Sequence, residues 1–363
     1  MCIRDRSITA TVYQEGFGEF PYNDVVEYDF DISLDQAGFP FETADQVFCA
    51  PAVVDLDQDG DREIIFASYD GTSTDGEVHA IHHDGTEVDG FPVDLDEKMM
   101  AGPAAGDLDG DGYPEIVVCT WGENIYALRH DGSIMDGFPY ESTKRFNAPP
   151  TLVDLDFDGD LEIVAGNDDG LLHVLHHDGT EMTSYEVGDD IRGGVSVADL
   201  NDDGSYELLV TSYEDMIHVW NPIDGEELEG WPVDMESNSL TEPVTADLDN
   251  DGDLDLMSPN SGVSDGVAST IEGNITLRTI NATNVSAVST LELEPWSVPK
   301  SIITMDLDGD GVLEHVVAAG ESSRGVFIGG WHSIELDADG DSNIEMSRNG
   351  YAGDSSNGLD PLT

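Results

Sequence analysis

An all-β fold, a β-propeller of four-stranded blades, is what the sequence predicts, and three recurring features carry the prediction. An acidic loop of the general form Asp-x-Asp-x-Asp-Gly occurs six times, with starts 52, 47, 45, 48 and 59 residues apart. That period lies in the range of propeller blades and is too long for most other solenoid repeats. Each loop runs into an apolar strand-like stretch, as in Glu63-Ile64-Ile65-Phe66, Glu115-Ile116-Val117-Val118 and Glu207-Leu208-Leu209-Val210, where β-branched residues are common. Further on, the hairpin dipeptide recurs as Asp84-Gly85, Asp131-Gly132, Asp178-Gly179 and Asp224-Gly225. The expected architecture is one seven-bladed propeller over residues 7–348, six of its blades carrying the acidic loop between their first and second strands. At 363 residues the chain exceeds the usual single core, but a closed repeat array can hold it as one body.

The loop is clearest at Asp154, Asp156, Asp158, Gly159, Asp160 and Glu162. Carboxylates on alternate residues, a glycine at the sixth position and an acid at the ninth are what a hard, oxygen-seeking cation needs, and calcium fits best. Charges this dense repel one another unless something neutralises them. The other copies are Asp55, Asp57, Asp59, Asp61 and Glu63; Asp107, Asp109, Asp111 and Glu115; Asp199, Asn201, Asp203 and Glu207; Asp247, Asp249, Asp251, Asp253 and Asp255; and Asp306, Asp308, Asp310 and Glu314. An EF-hand would place its closing glutamate at position twelve between helices, whereas that position here is Phe66, Val118 or Ala165, inside strand-like sequence.

Within a blade the first strand is short and small-residued, as in Ala50 to Val54, Gly102 to Ala105 and Gly193 to Ser196. Pro51, Pro103, Pro149 and Pro243 suit an innermost strand, one edge of which faces the central channel and needs no donor. The third strand reads as a two-residue alternation in Val78-His79-Ala80-Ile81, Ile125-Tyr126-Ala127-Leu128, Leu172-His173-Val174-Leu175 and Ile217-His218-Val219-Trp220. The fourth runs toward Gly90-Phe91-Pro92, Gly137-Phe138-Pro139 or Gly230-Trp231-Pro232, whose aromatic is expected to wedge between blades.

The ends are less regular. Residues 7–45, with strand-like Val25 to Leu34 and a Gly38-Phe39-Pro40 ending, would supply a blade without a metal loop or the remnant of one; 46–348 would hold the six metal-loop blades, and 349–363 a tail or truncated continuation. Asp337 to Asp341 imitates a seventh loop but follows the sixth too closely for two strands, and reads as the third-to-fourth-strand turn of the last blade, with cation binding left open there. Met1-Cys2-Ile3-Arg4-Asp5-Arg6 resembles a translated transposon adapter from library preparation and is set apart from the fold. On that reading the true N-terminus, with any signal peptide, lies upstream.

With 78 acidic and 12 basic residues the formal charge is -66, and six Ca²⁺ would offset only about 12 of it. Such a surface repels nucleic acid and anionic lipid, which excludes both as expected partners. Its acidity suits a salty extracellular setting. Cys2, Cys49 and Cys119 form no disulfide framework, and no apolar stretch approaches a membrane span.

These loops resemble the FG-GAP/VCBS repeats of integrin α-chain heads and many bacterial surface proteins, over about residues 38 to 345. The resemblance implies about six Ca²⁺ held by the side chains at positions one, three, five and nine, with position seven (Asp61, Tyr113, Asp160, Ser205, Asp253, Val312) offering its backbone carbonyl. Five loops depart from the family in closing with Glu rather than Asp, which implies a bidentate grip, and Asn201 should make the fourth site the weakest.

His79, His82, His83, His130, His173, His176, His177 and His218 recur at equivalent blade positions, which favours packing or capping over zinc or acid–base chemistry. No G-x-S-x-G, H-E-x-x-H, C-x-x-C or glycine-rich lysine loop is present, and no catalytic residue is assigned. Lys98, Lys144, Arg145, Arg192 and Lys300 all fall just before a first strand. In a propeller they would ring one funnel mouth, opposite the metal loops, as a ligand site; pairing with local acids such as Asp96, Glu97 and Glu141 is the competing reading. The expected function is a calcium-loaded binding or adhesion module outside the cell or at its surface, for a protein or an acidic glycan, with no membrane insertion by this chain. The alternative is the propeller of an extracellular polysaccharide lyase or related enzyme.

Overall fold

The structure, a computed structural model, describes side chains in residues 38–43, 45–71, 75–235, 241–247 and 252–258, and backbone alone in 259 and the strands at 6–12, 26–32, 276–281, 286–292, 297–305, 314–323, 326–336 and 342–349. Every regular element among them is a β-strand. A two-stranded hairpin, Arg6–Val12 with Val26–Ile32, comes first. Six antiparallel sheets follow, each with its first four strands in sequence order. The first is Ala52–Val54, Glu63–Ser68, Glu77–Ile81 and Val93–Asp94, and the second Ala104–Gly106, Glu115–Cys119, Asn124–Leu128 and Tyr140–Glu141. The third is Thr151–Val153, Glu162–Gly166, Leu171–Leu175 and Glu181–Glu186; the fourth is Ser196–Ala198, Glu207–Thr211, Met216–Asn221 and Glu226–Glu227, with Val233–Asp234 also on its third strand. The fifth and sixth run over Val244–Ala246, Asp255–Pro259, Thr276–Asn281 and Ser286–Glu292, and over Ser297–Met305, Glu314–Ser323, Val326–Leu336 and Ser342–Asn349.

These sheets are blade-like. Their first strands adjoin one another: Ala52–Val54 lies beside Ala104–Gly106, which lies beside Thr151–Val153, while Val244–Ala246 sits between Ser196–Ala198 and Ser297–Met305. Thr151 Oγ1 donates to the Val195 carbonyl at 2.8 Å, tying the third sheet to the approach of the fourth. The first strands begin later than expected, after Pro51, Pro103 and Pro243 rather than through them, because proline brings no N–H to a ladder.

The third strands correct a second expectation. Ile125 to Leu128 and Leu172 to Leu175 are buried at every position rather than at every other one. Each middle strand is covered on both faces, and successive residues feed opposite interfaces. Ile116 and Val118 pack with Ile65, Val78 and Ala80 of the first sheet, whereas Val117 and Cys119 pack with Ile163 and Ala165 of the third. The same division places Val164 with Leu208 and Trp220, and Leu209 with Leu256. Each such aliphatic side chain contributes about 1.5–3 kcal/mol of burial, so the sheets are held mainly by one another.

The Gly-Phe-Pro stretches lie within the course of the fourth strand, not at its end: Ile81 bridges Glu87 before it and Val78 pairs with Val93 after it. Phe91 and Trp231 do wedge between sheets, in the first–second and fourth–fifth cores. The preceding glycine has a separate role. Gly90 and Gly137 sit at φ +101° and +97°, and a Cβ there would meet the carbonyl oxygens of Asp131 and Asp178, each at 2.0 Å. One sheet's Gly-Phe-Pro bend thus rests on the next sheet's Asp-Gly hairpin. Gly38 meets Asp84 in the same manner, so Gly38 to Pro40 relate to the first sheet as Gly90 to Pro92 relate to the second.

Candidate metal centres

The acidic loops connect first and second strands, and the first four share one backbone design. Position six lies in the left-handed region, at φ +98° for Gly60 and Gly112, +103° for Gly159 and +89° for Gly204. Position four does too, although Gln58, Phe157 and Asp202 are not glycines and only Gly110 is. The double turn folds the carboxylates back over the loop's own N–H groups. Asp154 Oδ2 accepts from Gly159 N at 3.2 Å, Asp156 Oδ1 from Asp158 N at 3.2 Å, and Asp158 Oδ1 from Asp160 N at 3.0 Å. The first loop repeats this through Asp55, Asp57 and Asp59, and the second through Asp107, Asp109 and Asp111.

Each of these carboxylates therefore has one oxygen fixed by backbone and a second to spare. At position one the second oxygen, Oδ1 of Asp55, Asp107 and Asp154, is buried with no hydrogen-bond partner. A buried anionic oxygen without a partner costs about 1–3 kcal/mol or more, and a cation would remove that cost. Ligand atoms of Asp55, Asp57 and Glu63, of Asp107, Asp109 and Glu115, and of Asp154, Asp156 and Asp158 converge to within 4.8 Å. The residues present fit calcium, which would take oxygens from positions one, three, five and nine.

Glutamate at position nine opens the second strand and is buried in all four loops. One oxygen accepts the N–H of position two: Glu63 from Leu56 at 2.8 Å, Glu115 from Leu108 at 2.9 Å, Glu162 from Leu155 at 2.8 Å, and Glu207 from Leu200 at 2.9 Å. That engagement favours a single-oxygen ligand over the bidentate grip expected. Burial pushes the Glu115 carboxyl up to about 7, opposed by the Leu108 N–H and reinforced by Asp109, Asp111 and Asp107; burial raises Glu162 and Glu207 as well.

In the first three loops the position-seven side chain contacts a histidine that follows the third strand. Asp61 and Asp160 meet His83 and His177 at 3.4 and 3.1 Å, and Tyr113 stacks on His130. The fourth loop is the odd one. Both Asp199 oxygens accept backbone N–H groups, from Gly204 and Asp203, and Asn201 Nδ2 reaches Glu207 Oε1 at 3.5 Å. In the fifth, Asp247 accepts from Gly252 N at 3.1 Å, Asp253 is exposed and Asp255 buried; Asp249 and Asp251 lie outside the described residues. So do Asp306, Asp308, Asp310 and Val312 of the sixth, the side chain of Glu314, and Asp337 to Asp341.

The histidines fall into two groups. His79, His173 and His218 are buried in third strands: His79 bonds Ser68 Oγ at 2.9 Å, His173 sits among Tyr140, Ser142 and Glu181, and His218 bonds Glu227 at 2.7 Å. The second group follows the third strand and reaches the acidic loops. His82 and His176 approach Glu63 and Glu162 Oε1 at 3.1 and 3.5 Å. The signal in sequence is their place just ahead of the hairpin dipeptides Asp84-Gly85 and Asp178-Gly179, which sequence analysis left unconnected to the loops.

At the other end of the sheets, where second-to-third-strand turns and sheet-to-sheet connections meet, the structure gathers Lys98, Arg145 and Arg192 into one ladder. Lys98 Nζ lies 4.7 Å from the Tyr69 ring centroid and 3.6 Å from that of Trp121; the Arg145 guanidinium lies 4.4 Å from the other aromatic contact's ring, again Trp121. Arg145 Nε donates to Asp168 Oδ2 at 2.6 Å, Arg192 Nε donates to Asp168 Oδ1 at 3.3 Å, and the Arg192 guanidinium covers Tyr213 at 4.9 Å. The backbone explains the regularity: Trp121, Asp168 and Tyr213 donate N–H to the carbonyls of Lys98, Arg145 and Asp190 at 2.8, 3.0 and 3.1 Å. Lys144 is exposed and joins none of these contacts, and the side chain of Lys300, in the strand Ser297–Met305, lies outside the described residues. The pairing acids are Asp168 and Asp190, not the Asp96, Glu97 and Glu141 read from sequence.

A family model described as FG-GAP-like repeat matches residues 55–118 and 199–258, spans that begin at the first ligands of the first and fourth loops. These two spans are FG-GAP-like repeats. No curated protein matches the sequence. Among solved structures, the Vibrio cholerae biofilm matrix protein Bap1 aligns over 86% of this chain and 62% of its own with a TM-score of 0.54 at 18% identity. The chain thus spans less than two thirds of Bap1's length. BBS1N, crystallised in complex with ARL6DN, aligns over 82% of this chain and 80% of its own, with a TM-score of 0.53 at 13% identity. At such identities the likeness concerns fold.

Proposed function

We propose that the chain is a closed, seven-bladed propeller clamped by about six Ca²⁺ ions, which acts outside the cell or at its surface as a binding or adhesion module for a protein or acidic glycan. The observation that carries the metal part is the buried, partnerless Oδ1 of Asp55, Asp107 and Asp154, each beside two further carboxylates. Calcium here is structural: it would join the two ends of a loop between the innermost strand and its neighbour. The extracellular part is supported by the acidic surface and by the like-folded Bap1, whose description places it in a biofilm matrix.

A ligand that binds only the folded form stabilises it by about 2.7 kcal/mol per site at a hundred times its dissociation constant. Melting of the full chain in millimolar Ca²⁺ should therefore lie well above melting in excess EDTA. Coincident curves would overturn the calcium clamp.

A further inference from the structure

The three cations of the ladder are not equally committed. Asp168, with 8% of its side chain exposed, receives Nε of Arg145, Nε of Arg192 and, at 2.7 Å, Nδ2 of Asn147, so it acts as a buried pivot. Arg192 also engages Asp190 at 2.6 Å. Lys98 differs: among the described residues no carboxylate lies within 4.0 Å of its nitrogen. Its neighbour Glu97 is turned into the second sheet, where it accepts from Asn124 at 2.7 Å, Tyr126 at 3.1 Å and Thr120. Arg145 donates to Asp168 through Nε alone and keeps 40% of its side chain exposed. Its terminal amino groups are therefore available.

We propose that Lys98, Trp121 and Arg145 form a subsite for the anionic group, carboxylate or sulfate, of an acidic polysaccharide. This rests on the binding-module reading above. Two cations are held against one indole, itself fixed by Nε1 donating to Asn147 at 2.9 Å, so the donors are ordered before any ligand arrives. Pre-ordering lowers the entropic cost of binding, and an arginine fork beside a lysine point charge suits either oxyanion. At physiological salt the screening length is about 8 Å, so the acids elsewhere on the chain weigh little against the two adjacent cations. A polysaccharide is favoured over a peptide because aromatic side chains recur along the ladder, Tyr69 after the second strand of the first sheet, Trp121 after that of the second and Tyr213 after that of the fourth, and such recurrence matches a polymer of repeating sugar units.

The test is calorimetric titration of the full chain, in excess Ca²⁺ and about 0.15 M salt, with polygalacturonate, dextran sulfate, neutral dextran and polyglutamate. One or both of the first two should bind and neutral dextran should not. The Lys98→Gln/Arg145→Gln double variant should lose at least about tenfold in affinity, and Lys98→Arg should retain it. Lys98→Gln alone, which leaves the Arg145–Asp168 pair intact, serves if the double variant does not fold. No binding of either polyanion, or unchanged affinity in the variants, overturns the subsite; tighter binding of polyglutamate overturns it in favour of an acidic peptide. Calcium-dependent melting is read on the same samples, so a failed subsite and a failed calcium clamp are told apart.

Discussion

Glu162 accepts the N–H of Leu155 at 2.8 Å through one carboxylate oxygen and faces His176 at 3.5 Å with the other, so one side chain closes the third loop upon itself. Latch and metal ligand can then be separated. Glu162→Gln keeps an acceptor for Leu155 but loses the charge, whereas Glu162→Ala loses both. In EDTA the glutamine variant should melt close to the parent and the alanine variant lower, by about 1–3 kcal/mol for the orphaned N–H. In calcium both should gain less than the parent. Calorimetric melts in the two conditions check this; equal calcium gains in all three would remove Glu162 from the ligand set.

The fourth loop should be the weakest site, since its Asp199 oxygens are spent on backbone and Asn201 brings no charge. Asn201→Asp should tighten calcium binding there and Asp203→Ala should weaken it, because ligand charge tunes affinity in such loops. Calcium titration of both variants against the parent measures the change. Isotherms that superimpose would mean that this loop takes no cation.

His173 supplies a pH dependence independent of the metal. Burial holds its imidazole below the usual 6.5, with Glu181 pulling the other way, and Tyr140, Ser142 and Asn167 complete its surroundings. A histidine whose folded pKa is lowered leaves stability intact above 6.5 and removes it as pH falls below that value, because the unfolded chain takes up the proton first. The loss is at most about 1.4 kcal/mol per pH unit. Urea unfolding at neutral and mildly acidic pH should show a smaller acid loss in His173→Gln than in the parent; the same or a larger loss would contradict the assignment.

Gly137→Ala should destabilise by more than about 2 kcal/mol, since it combines a positive φ with a Cβ 2.0 Å from the Asp178 carbonyl oxygen. Gly225→Ala, at φ +72° with nothing within 4 Å, should cost only about 1–2 kcal/mol of backbone strain. The difference between their urea midpoints reports the contact between neighbouring sheets. Equal midpoints would mean that the bend and the hairpin do not bear on each other.

Much of this was legible in the sequence wherever chemistry depends on neighbours in the chain. Asp154, Asp156 and Asp158 fold over N–H groups no more than five residues away, so spacing alone disclosed the loop. The order of the four strands followed from the same local signals. What was not legible depends on partners distant in sequence. Tyr126 and Ala127 look like alternation until the neighbouring sheets cover both faces. Lys98 could be placed before a first strand, but nothing local showed that Trp121 would receive it, or that Asp168 would take two arginines. His176 reads as packing or capping its own strand, because its approach to Glu162 depends on the adjacent strand, where Ile163 pairs with Leu175.

The acidic loop and the cation ladder are attached to opposite ends of the same strand. Glu115 opens the second strand of its sheet and Trp121 follows its end, about 20 Å further along at some 3.4 Å per residue. A load applied at the ladder would run lengthwise into the backbone ladders on either side and reach the loop at Glu115. That geometry is shear, in which many hydrogen bonds resist together, rather than unzipping one at a time. Calcium would therefore act as a mechanical fastener as well as a thermal one, and single-molecule pulling through Trp121 should need higher force in Ca²⁺ than in EDTA, with equal forces refuting the idea.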